Sequence, residues 1–577
     1  MRLRINTNKD GSRNYYILES YRSNSGKSTT RIVKKLGTHE QLLKEHDDPE
    51  AWANELVADL NMQAAAKKQD ILVRFSPSAQ LERDVSCLYN GGYLFLQKLF
   101  YQLRLDYICA KISEKYKFSY NMKEILAHLI YGRILEPSSK SSTYDYAKTL
   151  LEAPSYEKED IYRALDVIGK EKDYIQAELY KLSTKRSKRN DKVLYYDCTN
   201  YYFEIEQEKG MRKYGPSKEH RPNPIVEMGL FMDGDGIPLA FCIHDGNTNE
   251  QRTLRPLEKQ IMEDFGHAKF IVCTDAGLSS VANRRFNDRE DRAFITTQSI
   301  KKMKAFQKDW ALSPKGWHLP GKKEIFNLDE ILASEQLCEK YYLWTFYKEE
   351  WFCENDIDQK YIVTFSLKYR NYQRTIRNEQ IARAKRALVS PEKSERIRQT
   401  DYKRFIHRVS MTDSGEVAEK KVYALNEEKI REEESYDGFY AVATNLDDNP
   451  ENIIKINRGR WEIEECFRIM KHEFKARPVY LQRDTRIAAH FTTCFLALVI
   501  FRYLEKKLGP YFTCGQIISS LRDMKFYKLN TDPSGFLPAY SRTEFTDALH
   551  DCFGFRTDYT IISRSDMNRL IASTRKK

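Results

Sequence analysis

Two apolar runs that each end in a single acid constrain the fold of this chain more than any other feature. The first is Val193–Tyr196, followed by Asp197, and the second is Phe270–Thr274, followed by Asp275. Short apolar runs of this kind predict buried strands. Reactive groups collect beyond the carboxyl ends of parallel strands in α/β sheets, so both carboxylates should share one crevice if the strands are neighbours.

The ligands of this crevice indicate its chemistry. Two carboxylates at close range repel each other and therefore demand a cation. Oxygen ligands with no His or Cys pair nearby favour Mg²⁺ or Mn²⁺. The alternative is that Asp197 and Asp275 only end strands or cap helices, as aspartates often do, and the turn after Asp275 is compatible with both interpretations.

The third candidate acid is Glu464. It lies in the segment Ile456–Lys471, whose pattern predicts an amphipathic helix. At about 100° per residue, Arg460, Glu464 and Lys471 form one stripe along the edge of the apolar face. We therefore expect the stripe to face the floor of a cleft. The alternative is a surface helix with an i, i+4 ion pair between Arg460 and Glu464.

The order of the predicted elements favours an α/β fold. From Lys192 onward the sequence predicts three strands, a helix and a further strand, which indicates a mixed sheet with helical cover. We divide the 577 residues into six segments. They are a β-meander with a helical connector (1–75), a helical region (76–187), an α/β core in two parts (188–300 and 436–510), a strand-containing insertion between them (301–435) and a C-terminal region (511–577).

Charge and cysteine usage narrow the class of protein. The formal net charge of +12 favours a polyanionic partner. The eleven cysteines include no Cys-x-x-Cys pair, which argues against a zinc finger and fits reduced thiols in a cytosol. The start of the chain has no apolar signal core, and the longest apolar stretch, around Phe495–Phe501, is too short to span a bilayer. We expect a soluble, cytoplasmic protein.

Asp197, Asp275 and Glu464 together resemble the DDE triad of bacterial insertion-sequence transposases. The helix is similar to the signature Y-x2-R-x3-E-x6-K of one subgroup, with Arg460, Glu464 and Lys471 at the R, E and K places and Asn457 at the Tyr place. Further stretches that resemble the family are YYILESYR with RIVKKLG, YGPSKEHRPNP, GIPLAFCIHDGNTNE, TDAGLSS and KARPVYLQRDTRIAAHFTTCFLALVI.

The resemblance implies a ribonuclease-H-like fold interrupted before Glu464, which would explain the insertion at 301–435. It implies a transposase that cleaves DNA and transfers strands with two Mg²⁺ or Mn²⁺ ions bound by Asp197, Asp275 and Glu464. It also implies terminal inverted repeats and target DNA as partners, a homodimer in the synaptic complex and a location near the bacterial nucleoid, with no membrane.

The resemblance further implies DNA contacts. Arg460 and Lys471 would bind phosphates at the DNA end, and Asn457 would do so with less reach than a tyrosine. Lys218 and Arg221 lie in a basic turn that is either a DNA contact or a solvated loop. Two other functions stay open, a domesticated DNA-binding protein that lost catalysis and a structure-specific nuclease of the same fold.

Overall fold

The computed structural model describes residues 1–8, 11–22, 28–66, 80, 83, 86–289, 291–388, 401–411, 417–529 and 534–576. The expected boundary at 75–76 lies outside the described residues. The chain forms two units, one of Met1–Arg83 with Asn530–Ser534 and one of Asp84–Leu529 with Gly535–Lys577.

The first unit contains the predicted β-meander. Its antiparallel strands are β1 (Arg2–Thr7), β2 (Arg13–Arg22) and β3 (Ser28–Thr38), in that order, and they precede helices α1 (His39–Leu42) and α2 (Pro49–Ala66). Alternation along β2 buries Tyr15 and Ile17. Tyr15 packs with Leu42 and Ala53 from the two helices in a small core. The predicted β-meander is confirmed, and helix α2 follows it.

Helices dominate the first part of the second unit, as the periodicity predicts. After the short strand β4 (Leu88–Asn90) come six helices with side-chain caps at Asn121 and Ser139. They are α3 (Tyr93–Gln102), α4 (Leu105–Tyr116), α5 (Met122–Leu135), α6 (Lys140–Ala147), α7 (Lys158–Lys170) and α8 (Lys172–Thr184).

A mixed sheet follows, with the predicted order of strands and helices. Its first elements are β5 (Val193–Tyr202), β6 (Ile225–Asp233), β7 (Pro238–Asp245), α9 (Leu254–Asp264), β8 (Phe270–Thr274), α10 (Val281–Phe286) and β9 (Arg292–Gln298). Strand β5 pairs antiparallel with β6 and parallel with β8, and β8 pairs parallel with β9. The acid-terminated strands β5 and β8 are therefore direct neighbours.

The stretch interpreted as an insertion shares this sheet. Its elements are α11 (Ala305–Leu312), α12 (Leu328–Ala333), α13 (Glu335–Lys340), β10 (Thr345–Glu354), β11 (Ile357–Ser366), α14 (Leu367–Leu388), β12 (Ile406–Met411), β13 (Val417–Leu425) and α15 (Glu427–Glu434), and β14 (Phe439–Thr444) follows. The eight strands run in the order β10-β11-β14-β9-β8-β5-β6-β7. The pairing of β11 with β14 covers what would otherwise be the edge of the core sheet.

Helices close the second unit. They are α16 (Pro450–Arg458), α17 (Trp461–Arg468), a π-helical turn (Ile469–Glu473), α18 (Asp484–Leu508), α19 (Cys514–Asp523), α20 (Glu544–Phe553) and α21 (Arg564–Thr574). Strands β15 (Lys525–Leu529), β16 (Gly535–Pro538) and β17 (Ile562–Ser563) form a small sheet with β4.

Helix α18 is the centre of the core. Among the described residues it is the one helix long and apolar enough to cross a membrane by length and composition, and 89% of its most apolar window is buried inside the fold. The estimate of the apolar stretch as only Phe495–Phe501 was wrong. His490, Thr492 and Thr493 interrupt the apolar run, but their polar groups bond to backbone carbonyls, so they are buried with it.

Candidate active site

Asp197 and Asp275 lie level with each other on one face of the sheet. Alternation along β5 sends Leu194, Tyr196 and Cys198 into one cluster of the core, whereas Tyr195 belongs to the cluster on the other face. Tyr195 pairs with Cys273 in the parallel register, and each acid follows two residues later. Since side chains two apart share a face, both acids project toward the cluster that includes helix α17.

Electrostatic interactions show that the two acids are neighbours. Burial raises the pKa of Asp197 to about 6; the positive charges of Lys218 and Arg460 oppose this rise, and the negative charge of Asp275 adds to it. The backbone N–H of Cys198 donates to Asp197 Oδ1 at 2.8 Å. Asp197 therefore faces a second carboxylate and two cationic side chains.

Asp275 also organises the turn that follows its strand. Its Oδ1 accepts from the backbone N–H of Leu278 at 3.0 Å, and its carbonyl oxygen accepts from Thr296 Oγ1 at 3.0 Å. The alternative role of a strand-end turn residue is thus present. The turn hydrogen bond uses only Oδ1, so Oδ2 of Asp275 can bind a metal ion while Oδ1 holds the turn.

The prediction of one continuous helix over Ile456–Lys471 is wrong at two places. Helix α16 ends at Arg458, and Arg460 is the N-cap residue of α17. A Cβ on Gly459 would collide with the hydroxyl of Tyr195, which donates to the Ile456 carbonyl at 2.9 Å, so the break lets the backbone approach strand β5. At the other end, Lys471 lies in the π-helical turn, a local geometry often found at functional sites.

Glu464 points from the first turn of α17 toward Arg460. The Arg460 Nη1 lies 3.9 Å from Glu464 Oε1, which is the predicted i, i+4 ion pair. The Glu464 side chain is 63% exposed and that of Arg460 only 20%. The positive charge of Arg460 also lowers the pKa of Asp197. Arg460 therefore interacts with both Asp197 and Glu464.

The three carboxylates do not all lie within 4.8 Å of one another, although the ligand atoms of Asp547, His550 and Asp558 do. Two ions in one centre are about 3.5–4 Å apart, so three acids that share two ions can be spaced more widely than three ligands of one ion. Arg556 pairs with both Asp547 and Asp558, which makes the second cluster an ion-pair network.

Lys471 reaches the site from the π-helical turn. Its Nζ donates to Thr199 Oγ1 at 2.6 Å and lies 3.4 Å from Glu219 Oε1. Burial and then the charge of Lys218 lower the pKa of Lys471 to about 8, against the pull of Glu227 and Asp197. Lys471 therefore lies near Asp197, as part of the π-helical turn and not of the continuous α-helical stripe that was predicted.

The two residues of the predicted basic turn have different surroundings. Lys218 lies 2.8 Å from Glu250 Oε1 and donates to the carbonyl oxygen of Cys198. Burial lowers its pKa, but the charges of Glu250 and Asp197 outweigh that effect and raise it. Arg221 stacks on Tyr202, with its guanidinium carbon 4.4 Å from the ring centroid. Lys218 thus belongs to the site, and Arg221 flanks it.

Asn457 is buried against the sheet. Its Nδ2 donates to the hydroxyl of Tyr440 at 3.0 Å, and that hydroxyl shares a 2.7 Å hydrogen bond with Thr297 Oγ1. Tyr440 comes from strand β14. A phenol from another element therefore lies next to the position that is Tyr in the signature.

The sequence analysis missed Glu227, a buried acid near the two lysines. Burial and the neighbouring Glu250 raise its pKa to about 8, and Lys218 and Lys471 oppose this rise. One signal could have identified it, because Glu227 is an acid within the otherwise apolar run Ile225–Met232.

Two family models match the chain. Residues 203–500, just over half of the chain, match the transposase DDE domain, a range that contains Asp275 and Glu464 and begins after Asp197. The chain therefore belongs to the DDE transposases, enzymes that act on DNA and depend on divalent metal ions. Residues 2–70 match the N-terminal domain of the IS1634 family transposase, so the chain is a transposase of a bacterial insertion sequence. The predicted α/β fold with a ribonuclease-H-like core is confirmed.

Solved structures that are similar to this chain include two transposase complexes. The piggyBac transposase synaptic complex with hairpin DNA is similar over 76% of this chain and 80% of that chain, with 8% identity and a TM-score of 0.34. The Mos1 transposase paired-end complex with the left transposon end is similar over 29% and 55%, with 13% identity and a TM-score of 0.13. No curated protein matches the chain.

Proposed function

We propose that Asp197, Asp275 and Glu464 bind two Mg²⁺ or Mn²⁺ ions and that this centre cleaves the ends of an insertion sequence and joins them to target DNA. The observation that carries the proposal is the level placement of Asp197, on β5, and Asp275, directly after the parallel neighbour β8, against the core cluster that includes the helix bearing Glu464. The donor set is carboxylate oxygen, which suits these cations. Bound ions would activate a water or a DNA 3′-hydroxyl and stabilise the leaving oxygen.

The chain's own cations keep Asp197 in the form that binds metal. Burial favours the protonated acid, whereas Lys218 and Arg460 favour the carboxylate. Lys218 is fixed by Glu250 and by the Cys198 carbonyl, so its charge stays beside strand β5. Lys218 and Arg460 therefore both favour the ionised form of Asp197 in this partly buried crevice.

Arg460 and Lys471 are proposed to hold DNA phosphates at the cleavage point. The Nε of Arg460 is buried without a hydrogen-bond partner in the described part of the chain, so its guanidinium has donor capacity left for a phosphate. Lys471 offers a point charge on the other side of Asp197. Asn457 is proposed to act through Tyr440, while Lys218 and Arg221 line the approach.

The same proposal extends to partners and organisation. The DNA partners are terminal inverted repeats and target DNA, and the active form is a homodimer in a synaptic complex near the cytoplasmic nucleoid. The N-terminal segment 1–75 and the helical segment 76–187 are proposed to recognise the ends, and 188–300 with 436–510 to form the catalytic core around the insertion 301–435. The residues 511–577 are proposed to form a C-terminal region.

Cleavage of the element's own ends tests this function. Purified protein with Mg²⁺ or Mn²⁺ should nick or cut a linear DNA that carries the inverted repeats. Asp197→Asn, Asp275→Ala and Glu464→Gln should each lower the rate by at least about 10³-fold, on the scale of losing one essential catalytic group. Glu465→Gln, an acid on the same helix that pairs with Arg468, is the matched control and should keep the activity. Cleavage that persists in Asp275→Ala would refute the assignment.

A further inference from the structure

A basic cavity lies outside the candidate active site. It has a volume of about 350 Å³ and lies where the α5–α6 connection meets the segment between the π-helical turn and α18. None of the described residues that line it is acidic. Its polar lining includes Arg133, Ser138, Lys140, Lys475, Arg477 and His490.

Several hydrogen-bond donors in this lining are buried and unused. Lys140 is 6% exposed, and its Nζ has no hydrogen-bond partner within the described ranges. The same holds for Arg133 Nε and for Ser138 Oγ. A buried donor without a partner is destabilising, so three of them around one cavity indicate a ligand that accepts hydrogen bonds.

These donors are held in place by the surrounding backbone. Arg133 Nη1 donates to the Phe474 carbonyl at 3.0 Å and its Nη2 to the Ser138 carbonyl at 3.3 Å. His490 Nε2 donates to the Ala476 carbonyl at 3.0 Å, which fixes the floor of the cavity. The N-terminus of α6, which begins at Lys140, adds the positive end of its dipole.

Two of the cations in the cavity, Lys140 and Arg133, have no acidic partner among the described residues, whereas Arg477 pairs with Glu219. Burial, and then the charge of Arg133, lower the pKa of Lys140 to about 7. Burial and the charges of Lys140 and Arg133 likewise hold the pKa of His490 well below its usual range. An anion would reverse both penalties at once, because it would pair with the charged form of Lys140 and with Arg133.

We propose that this cavity binds a phosphate group and that a backbone phosphate of the DNA strand supplies it. The phosphate chemistry rests on the cavity alone, and DNA as its source rests on the proposed function. Arg477 lines the cavity and pairs with Glu219, which also lies 3.4 Å from Lys471 Nζ. Glu219 thus links Arg477 of the cavity to Lys471 of the candidate active site, so a strand held at Lys471 would lie near the cavity.

DNA binding without divalent ions tests the DNA source. The probe is a fluorescein-labelled duplex of arbitrary sequence, titrated by anisotropy over a series of KCl concentrations. Lys140→Met should weaken binding by about fivefold or more and reduce the slope of log K against log salt by about one, as expected for one lost phosphate contact. The control is Lys148→Met, an exposed lysine just after the same helix that pairs with Asp145. Unchanged affinity and slope in Lys140→Met would overturn the DNA assignment.

Inorganic phosphate tests the shared chemistry. At equal ionic strength, phosphate should raise the thermal unfolding temperature of the wild type relative to chloride, and Lys140→Met should lose this shift. A phosphate shift that depends on Lys140 without any effect on DNA would mean that free phosphate is the ligand, and no shift at all would overturn the site. If Lys140→Met does not fold, Ser138→Ala takes its place and should reduce the phosphate shift and the DNA affinity while leaving the salt slope unchanged, because serine carries no charge.

Failure of the cavity and failure of the proposed catalytic site are distinguishable. Asp275→Ala should abolish cleavage and leave the phosphate shift of the unfolding temperature unchanged. A wild-type protein that cleaves DNA but shows no such shift would overturn the cavity proposal only. A protein that binds phosphate through Lys140 but whose cleavage survives Asp275→Ala would overturn the catalytic proposal only.

Discussion

Gly277 lies against Asp275 so closely that a Cβ on Gly277 would stand 3.3 Å from Asp275 Oδ1 and 3.4 Å from Oδ2. The glycine therefore gives the carboxylate its room. Gly277→Ala should push the carboxylate aside by a few tenths of an ångström and weaken Mn²⁺ binding severalfold with little change in folding, because metal sites tolerate little displacement. Calorimetric titration with Mn²⁺ measures this effect. Gly515→Ala, where a Cβ meets no atom within 4 Å, is the control, and equal affinities in both variants would contradict the prediction.

Arg460 pairs with Glu464, and we expect it to contact DNA in addition. Arg460→Gln should weaken binding to the element's end by about tenfold and lower the salt slope by about one, because one phosphate contact is lost. Anisotropy titration with an end-containing duplex measures both. Arg468→Gln, which removes a cation from the same helix and its pair with Glu465, should have little effect. Normal end binding with reduced cleavage in Arg460→Gln would mean that Arg460 only orients Glu464.

The hydrogen bond between Asn457 and Tyr440 should contribute to stability. Tyr440→Phe leaves the buried Asn457 amide without its acceptor and should cost about 1–3 kcal/mol in the free energy of unfolding. In a double-mutant cycle, Tyr440→Phe should cost about 1 kcal/mol less in the Asn457→Ala background than in the wild type, because its partner is already gone. Urea denaturation of the four proteins gives the coupling, and additive effects would contradict the pairing.

Asp197 and Asp275 could be predicted as site residues from the sequence, because each follows a short apolar run that predicts a buried strand. The break at Gly459 could not be predicted, because it depends on the approach of Tyr195 from another strand. The π-helical turn at Lys471 escaped for the same reason, since helical periodicity assumes one constant rotation per residue. The joining of β11 to β14 is a long-range pairing that no local pattern contains.

Lys140 should make stability depend on pH. Its pKa in the fold, about 7, lies below the value of about 10.4 for an unfolded chain. The unfolded chain therefore binds more protons between these values, so charging Lys140 costs stability below pH 7 and the cost disappears as the pH rises toward 10. Arg133 and His490 face the same cavity. Arg133 stays protonated over this pH range, and His490 stays neutral because its pKa is held well below its usual range.

In phosphate-free buffer, Lys140→Met should consequently be more stable than the wild type at pH 6, by on the order of 3 kcal/mol, with the difference shrinking steadily toward pH 10. Urea denaturation at pH 6, 7.5 and 9 measures the difference. A difference that stays constant across this range would show that the methionine acts by packing and that Lys140 is not a strained buried cation.

The most direct test of the shared cation site is anomalous diffraction from crystals grown or soaked with Mn²⁺. The account predicts Mn²⁺ peaks about 2–2.5 Å from carboxylate oxygens of Asp197, Asp275 and Glu464, with Glu464 turned from Arg460 toward the two aspartates. Peaks that involve only other residues, such as Asp547 and Asp558, or peaks that omit one of the three acids, would contradict it.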